Sequence, residues 1–226
     1  MEKRIVLLFV FILVLTEIVL NVNETAGFIL YISLIALCLL SLSQINSLND
    51  YGQLIIVFMI MPIIRVIELF IVLEFFWKII ISYSILLFLS FYYSVKFELD
   101  HGHRKENLSL LPLAIIIGIA LGIIGNYSFG LDKYSWLIYL IPFIAYSEEI
   151  LFRGMIQNIL EKTYGIAVSV LISALLYAIF SLGYGVLFVL FMFFAGIIIG
   201  LIYNYTRNIF LAVIINLIMH YFLFVL

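Results

Sequence analysis

Charge is scarce in this sequence. Only 11% of its 226 residues are Asp, Glu, Lys or Arg, while 67% are hydrophobic. Ordinary soluble domains are near half apolar and a quarter charged. A globule of this size could not hide so much apolar surface from water, so the solvent must be lipid. Cysteine is nearly absent as well. The single Cys38 excludes an internal disulfide and, set within an apolar run, reads as a packing residue. A formal net charge of −2 with scattered positive residues leaves no basic patch, and nucleic acid is not an expected partner. No low-complexity tail is present, and the glycines are spread through apolar runs, not gathered in linkers.

The apolar runs are unbroken for roughly 15 to 20 residues and do not alternate, which favours membrane-spanning helices over barrel strands. With no water to satisfy the backbone, helices also close their own hydrogen bonds. The opening "MEKRIVLLFVFILVLTEIVL" lacks a small-x-small cleavage site, and another apolar run follows it. It is therefore read as a retained first helix. Further segments fall at about 27–42, 53–73, 76–95, 108–126, 135–160, 166–182, 185–203 and 208–226. The expected fold is an all-α polytopic transmembrane helix bundle of about eight or nine helical segments. Lys3 and Arg4 put the N-terminus in the cytoplasm, with the cell membrane as the expected location. Counting crossings from there sets the 96–107 loop, Lys162 and Arg207 on the same side, and leaves Lys133 and Lys78 towards the other boundary.

The loop "KFELDHGHRKEN" at 96–107 is the one polar stretch of any length, and it divides a four-helix region, 1–95, from a core at 108–226. His101 and His103 beside Asp100 and Glu106 have a metal-like look, but a solvated loop is the plainer reading. In the front region Arg65 and Glu68 stand three apart on one helix, a spacing that suits a structural ion pair. Gly118, Gly122 and Gly125, then Gly196 and Gly200, fit close helix–helix contact.

"SEEILFRGMIQ", residues 147–157, breaks the apolar rule. An ionised side chain at that depth costs on the order of 3 kcal/mol, so Glu148, Glu149 and Arg153 need a reason. Glu149 and Arg153, four apart, share a helix face and can neutralise each other. Glu148 points about 100° away on a helix and is left without a local partner. A carboxylate in such a site suits general acid–base work. A buried ion pair that fixes packing, with Glu148 reaching a polar cavity, explains the same pattern.

Glu-Glu-x-x-x-Arg inside a membrane helix resembles the signature of the CAAX-protease and bacteriocin-processing family of intramembrane proteins, also called Abi proteins. "GIAVSVLISALLYAIFSLGYG" and "FMFFAGIIIGLIYNYTRNIFLAVIINLIMHYF" resemble the family's later helices in order and spacing, so that the resemblance covers about residues 108–226. It implies an endopeptidase acting on a membrane-associated peptide or protein. The first glutamate, here Glu148, would activate water, with Glu149 and Arg153 as an orienting pair. The family completes its site with two histidines, in Phe-x-x-x-His and His-x-x-x-Asn motifs. Here "YAIFS" sets Tyr177 in the aromatic place and Ser181 in that of the histidine. "NLIMH" sets Asn216 in the histidine position and His220 in that of the asparagine.

Serine is a poor base and a poor metal ligand, and asparagine cannot take up a proton. A divalent metal such as zinc would find Glu148 and His220 alone, short of the three protein ligands usual for catalytic zinc. A Ser181 nucleophile would need His220 as its base. Two readings follow. One is an endopeptidase with Glu148 as base and His220 with Asn216 as polarisers of the scissile carbonyl. The other is a family member without catalysis, serving as a scaffold, peptide-binding or immunity protein. A small transporter is disfavoured because no inverted repeat is evident. Either of the first two expects Glu148, Asn216, His220 and Ser181 to converge on one cavity within the membrane.

Overall fold

A computed structural model describes residues 2–43, 50–71, 73–99 and 109–226. The expectations for Asp100, His101, His103 and Glu106 lie outside the described residues. Among those residues no β-strand forms, and the chain is an all-α bundle. Its helices are α1 (Glu2–Val22), α2 (Glu24–Ser43), α3 (Asp50–Phe70), α4 (Phe75–Lys96) and α5 (Leu111–Phe129). The expected 135–160 segment is one path of changing pitch. It runs through a 3₁₀ turn (Ser135–Tyr139), α6 (Ile141–Glu149), a π-helix (Ile150–Gln157) and α7 (Asn158–Tyr164). Three helices follow: α8 (Ile166–Ile179), α9 (Val186–Thr206) and α10 (Ile209–Phe224).

Among the described residues five stretches are long and apolar enough to cross a bilayer: Glu24–Ser43, Tyr51–Phe70, Phe75–Lys96, Leu111–Phe129 and Val186–Thr206. Their outward faces are apolar too. Phe88, Ile116, Leu187 and Phe194 are each more than 60% exposed, which suits contact with lipid tails. The protein is a membrane-embedded helical bundle whose partner is the lipid bilayer.

Helix α10 is the axis of the back half, packed along α5 and against α6, while α8 lies along α9. Glycine sets the first of these distances. A Cβ on Gly118 would meet Ile218 at 2.9 Å, and one on Gly122 would meet Phe222 at 2.6 Å, so a larger residue would push the helices apart. Gly130 then ends α5 in the left-handed region, its N–H returned to Asn126 O. The chain turns back, and Lys133 Nζ donates to the Phe222 and Leu223 carbonyls at 3.1 and 2.9 Å. A cation at the carbonyl end of α10 offsets the helix dipole. In the front half α1, α2 and α3 pack together, and α4 bridges α3 to α6 and the π-helix. Cys38 is buried in that packing, as its setting predicts.

Candidate active site

The Glu-Glu-x-x-x-Arg stretch lies where α6 widens into the π-helix. Single π turns are the usual case and cluster at functional sites; here eight residues adopt the pitch and all are buried. Glu149 is the last α-helical residue, and the expected pair forms: Arg153 Nη1 donates to Glu149 Oε1 at 3.0 Å. Both side chains are 0% exposed. Arg153 Nη2 reaches Gly196 O at 3.2 Å, and Gln157 Nε2 reaches Gly200 O at 3.0 Å. Two side chains four apart thus clasp two carbonyls four apart on α9. A Cβ on Gly200 would stand 3.0 Å from Gln157 Oε1, so the glycine is what lets the clasp close.

Asn216 on α10 joins the two carboxylates. Its Nδ2 donates to Glu148 Oε2 at 3.0 Å and to Glu149 Oε1 at 2.8 Å. The amide cannot flip without loss, because its Oδ1 accepts from the Tyr177 hydroxyl at 3.0 Å. The Tyr177 ring also lies 4.6 Å from the Arg153 guanidinium carbon, close enough for a cation–π contact. The same hydroxyl oxygen is 3.5 Å from His220 Nε2. His220 Nε2 in turn stands 3.9 Å from Glu148 Oε2, too far for a direct hydrogen bond. The other oxygen of Glu148 accepts from Tyr83 Oη on α4 at 2.9 Å.

A cavity of about 390 Å³ opens beside this network. Glu148, His220 and Ser181 line it, with Tyr83 and Tyr177. Asn216, Glu149 and Arg153 sit behind the wall, each 0% exposed. The six residues named from the sequence therefore divide into three that face the cavity and three that brace it. Ser181 lines the wall but makes no side-chain hydrogen bond to His220.

Two parts of the cavity were not placed there by the sequence reading. Tyr83 carries no motif, and nothing local marks it. The Arg65–Glu68 pair forms as expected, at 2.7 Å, but it also lines the cavity. Arg65 is held further by Glu17 at 2.7 Å and by Phe180 O at 2.7 Å, with its guanidinium 4.5 Å above the Phe180 ring. Tyr31 donates to the same Glu17. Glu17, a carboxylate inside the first apolar run, was the available signal.

A metal does not fit these donors. Among the described residues no group of three His, Cys, Asp or Glu side chains is gathered to share an ion. Both oxygens of Glu148 already accept hydrogen bonds, and Glu149 Oε1 accepts from Asn216 and Arg153.

Residues 130–222 match the model of a family described as type II CAAX prenyl endopeptidase Rce1-like. The resemblance to the CAAX-protease family stands. The match covers less than half of the chain, but it contains Glu148, Glu149, Arg153, Ser181, Asn216 and His220. Tyr83, Arg65 and Glu17 lie outside it. Comparison with curated proteins and with solved structures found no match.

Proposed function

We propose that this chain is an intramembrane endopeptidase of the CAAX-protease type, hydrolysing a peptide bond of a membrane-associated peptide or protein. One observation carries the proposal: Glu148 lines the cavity with His220 Nε2 3.9 Å from its Oε2. A gap of that length suits a bridging water. Glu148 takes a proton from that water while its oxygen attacks the scissile carbonyl carbon. The C–N bond then breaks as Glu148 passes the proton to the leaving amine. His220 orients the water, and Glu149, Asn216 and Arg153 hold Glu148 in place. The charged residues of the loops favour a cytoplasmic N-terminus in the cell membrane, with 1–95 as a supporting region around the 108–226 core.

The test is cleavage of a reporter peptide by the full chain in proteoliposomes. A positioned general base contributes on the order of 10²- to 10⁴-fold, so Glu148→Ala should lower turnover at least 100-fold. Equal turnover by wild type and Glu148→Ala would end this mechanism. A second reading, a family member that holds a peptide without cutting it, draws on Asn216, which ties down the Glu148 oxygen facing His220. Capture of a membrane peptide that survives Glu148→Gln, with no cleavage by wild type, would favour it.

A further inference from the structure

We infer that Tyr83 is a catalytic residue of this site, its hydroxyl donating to the oxyanion that forms when the carbonyl is attacked. The inference rests on the endopeptidase reading. Attack of water moves negative charge onto the carbonyl oxygen, and a donor fixed beside that point is the largest single aid most enzymes supply.

The available donors can be sorted by what they already hold. Both N–H groups of Asn216 are spent on the two carboxylates, and the residue is 0% exposed. Arg153 is sealed behind the wall, clasped to Glu149 and Gly196. Arg65 is committed to Glu17, Glu68 and Phe180 O. Tyr177 is 3% exposed and donates to Asn216. Ser181 lines the cavity and makes no side-chain hydrogen bond to Glu148. Tyr83 differs from all of these: it lines the cavity, it is partly exposed, and its oxygen is 2.9 Å from Glu148 Oε1. A carbonyl attacked by water held at Glu148 lies within reach of that phenol.

The acceptor that Tyr83 holds at rest is also the group whose charge vanishes during the reaction. When Glu148 takes the water's proton, its carboxylate becomes neutral and a weaker acceptor, since bonds to ionised acceptors are roughly twice as strong. At the same moment the carbonyl oxygen becomes anionic. The Tyr83 O–H turns about its C–O bond from one acceptor to the other and keeps its proton throughout. No heavy atom has to move. Because Tyr83 stands on α4, outside the matched 130–222 segment, the front half of the chain then supplies part of the chemistry.

The experiment uses the full chain in proteoliposomes with the same reporter peptide. Tyr83→Phe should lower kcat about 100-fold, the low end for loss of one oxyanion donor, with KM within threefold of wild type. A peptide phosphinate, tetrahedral and anionic at the scissile position, should lose affinity for Tyr83→Phe by a factor comparable to the fall in kcat/KM. A kcat within threefold of wild type, or a rise in KM alone, overturns the role. Should Tyr83→Phe fail to fold, difluorotyrosine at position 83 keeps the shape and alters the donor. It should change kcat severalfold with KM unmoved, and an unchanged kcat again overturns the role. Wild type no better than Glu148→Ala sinks the endopeptidase reading itself, whereas an active wild type with an equally active Tyr83→Phe sinks only this inference.

Discussion

Two arginines within the helices, one in each half of the chain, solve the same problem differently. Arg153 pairs with a single carboxylate, Glu149, and is 0% exposed. Arg65 pairs with two, Glu17 and Glu68, and keeps 19% of its side chain exposed. Each also donates to a backbone carbonyl and lies over an aromatic ring, Tyr177 for Arg153 and Phe180 for Arg65. The carbonyl and the carboxylate of Arg153 both belong to the back half, so that cation seals one bundle. Arg65 reaches from α3 to α1 and to the chain just after α8, so that cation stitches two bundles together at a cavity. Burial in lipid demands a partner for every charge. Whether the partner is local or distant decides whether the pair braces a wall or joins two.

The largest effect expected from this contrast is at Arg153. Arg153→Met leaves Glu149 as an uncompensated charge with no route to water, and breaking a buried pair in this way costs about 3–5 kcal/mol. Unfolding in mild detergent or in bicelles should show that loss directly, and a loss below 1 kcal/mol would mean that the pair contributes little. Arg65→Met should cost less, about 2 kcal/mol, in the range for leaving buried polar groups unsatisfied. The cavity lets Glu68, 22% exposed, find water, while Glu17, 2% exposed, keeps the Tyr31 hydroxyl as a donor. Equal losses at the two arginines would dissolve the distinction between a sealed pair and a cavity-side pair. Gly122→Leu tests packing without charge. Its side chain would drive into Phe222, and overpacking of this kind costs about 1–3 kcal/mol. The loss should appear as separation of α5 from α10, read by cross-linking between cysteines placed on their facing sides.

How much of this was legible follows the same division between local and distant. The Glu149–Arg153 and Arg65–Glu68 pairs were readable because spacings of four and three residues fix geometry on one helix. The number of helical segments was readable because lipid leaves a long apolar run few alternatives. The glycines of α5 and α9 were readable as close contacts, though not their partners. Glu17 as a partner of Arg65, 48 residues away, was not, and neither was Tyr83, 65 residues from Glu148. Those distances are set by how α1, α3 and α4 pack, and no local period encodes that. The π-helix at 150–157 was hidden too, since the stretch has ordinary α-helical composition. Its Arg153 and Gln157 reach carbonyls of α9, contacts that no local period encodes. Glu148, Ser181, His220 and Asn216 were all expected on one cavity; the first three line it, whereas Asn216 stands behind the wall because its amide is turned to the two carboxylates. The double donation by the Asn216 amide was not expected, because a name at a motif position says nothing about which way an amide points.

The smallest effect sharpens the comparison most. Tyr177→Phe gives Arg153 the same kind of ring that Arg65 already has in Phe180, and the cation–π contact at 4.6 Å needs no hydroxyl. What disappears is the bond to Asn216 Oδ1 at 3.0 Å, and with it the reason for the amide to face the carboxylates. Stability should fall by about 1 kcal/mol, the ordinary net value of one hydrogen bond, well short of the loss for Arg153→Met. Turnover should fall by more than that stability change implies, because an Asn216 free to turn over presents an oxygen to Glu148 and repels it. Unfolding and reporter cleavage measured on the same preparation separate the two effects. If Tyr177→Phe matches wild type in both, the hydroxyl is idle and the ring alone holds Arg153, as Phe180 does for Arg65.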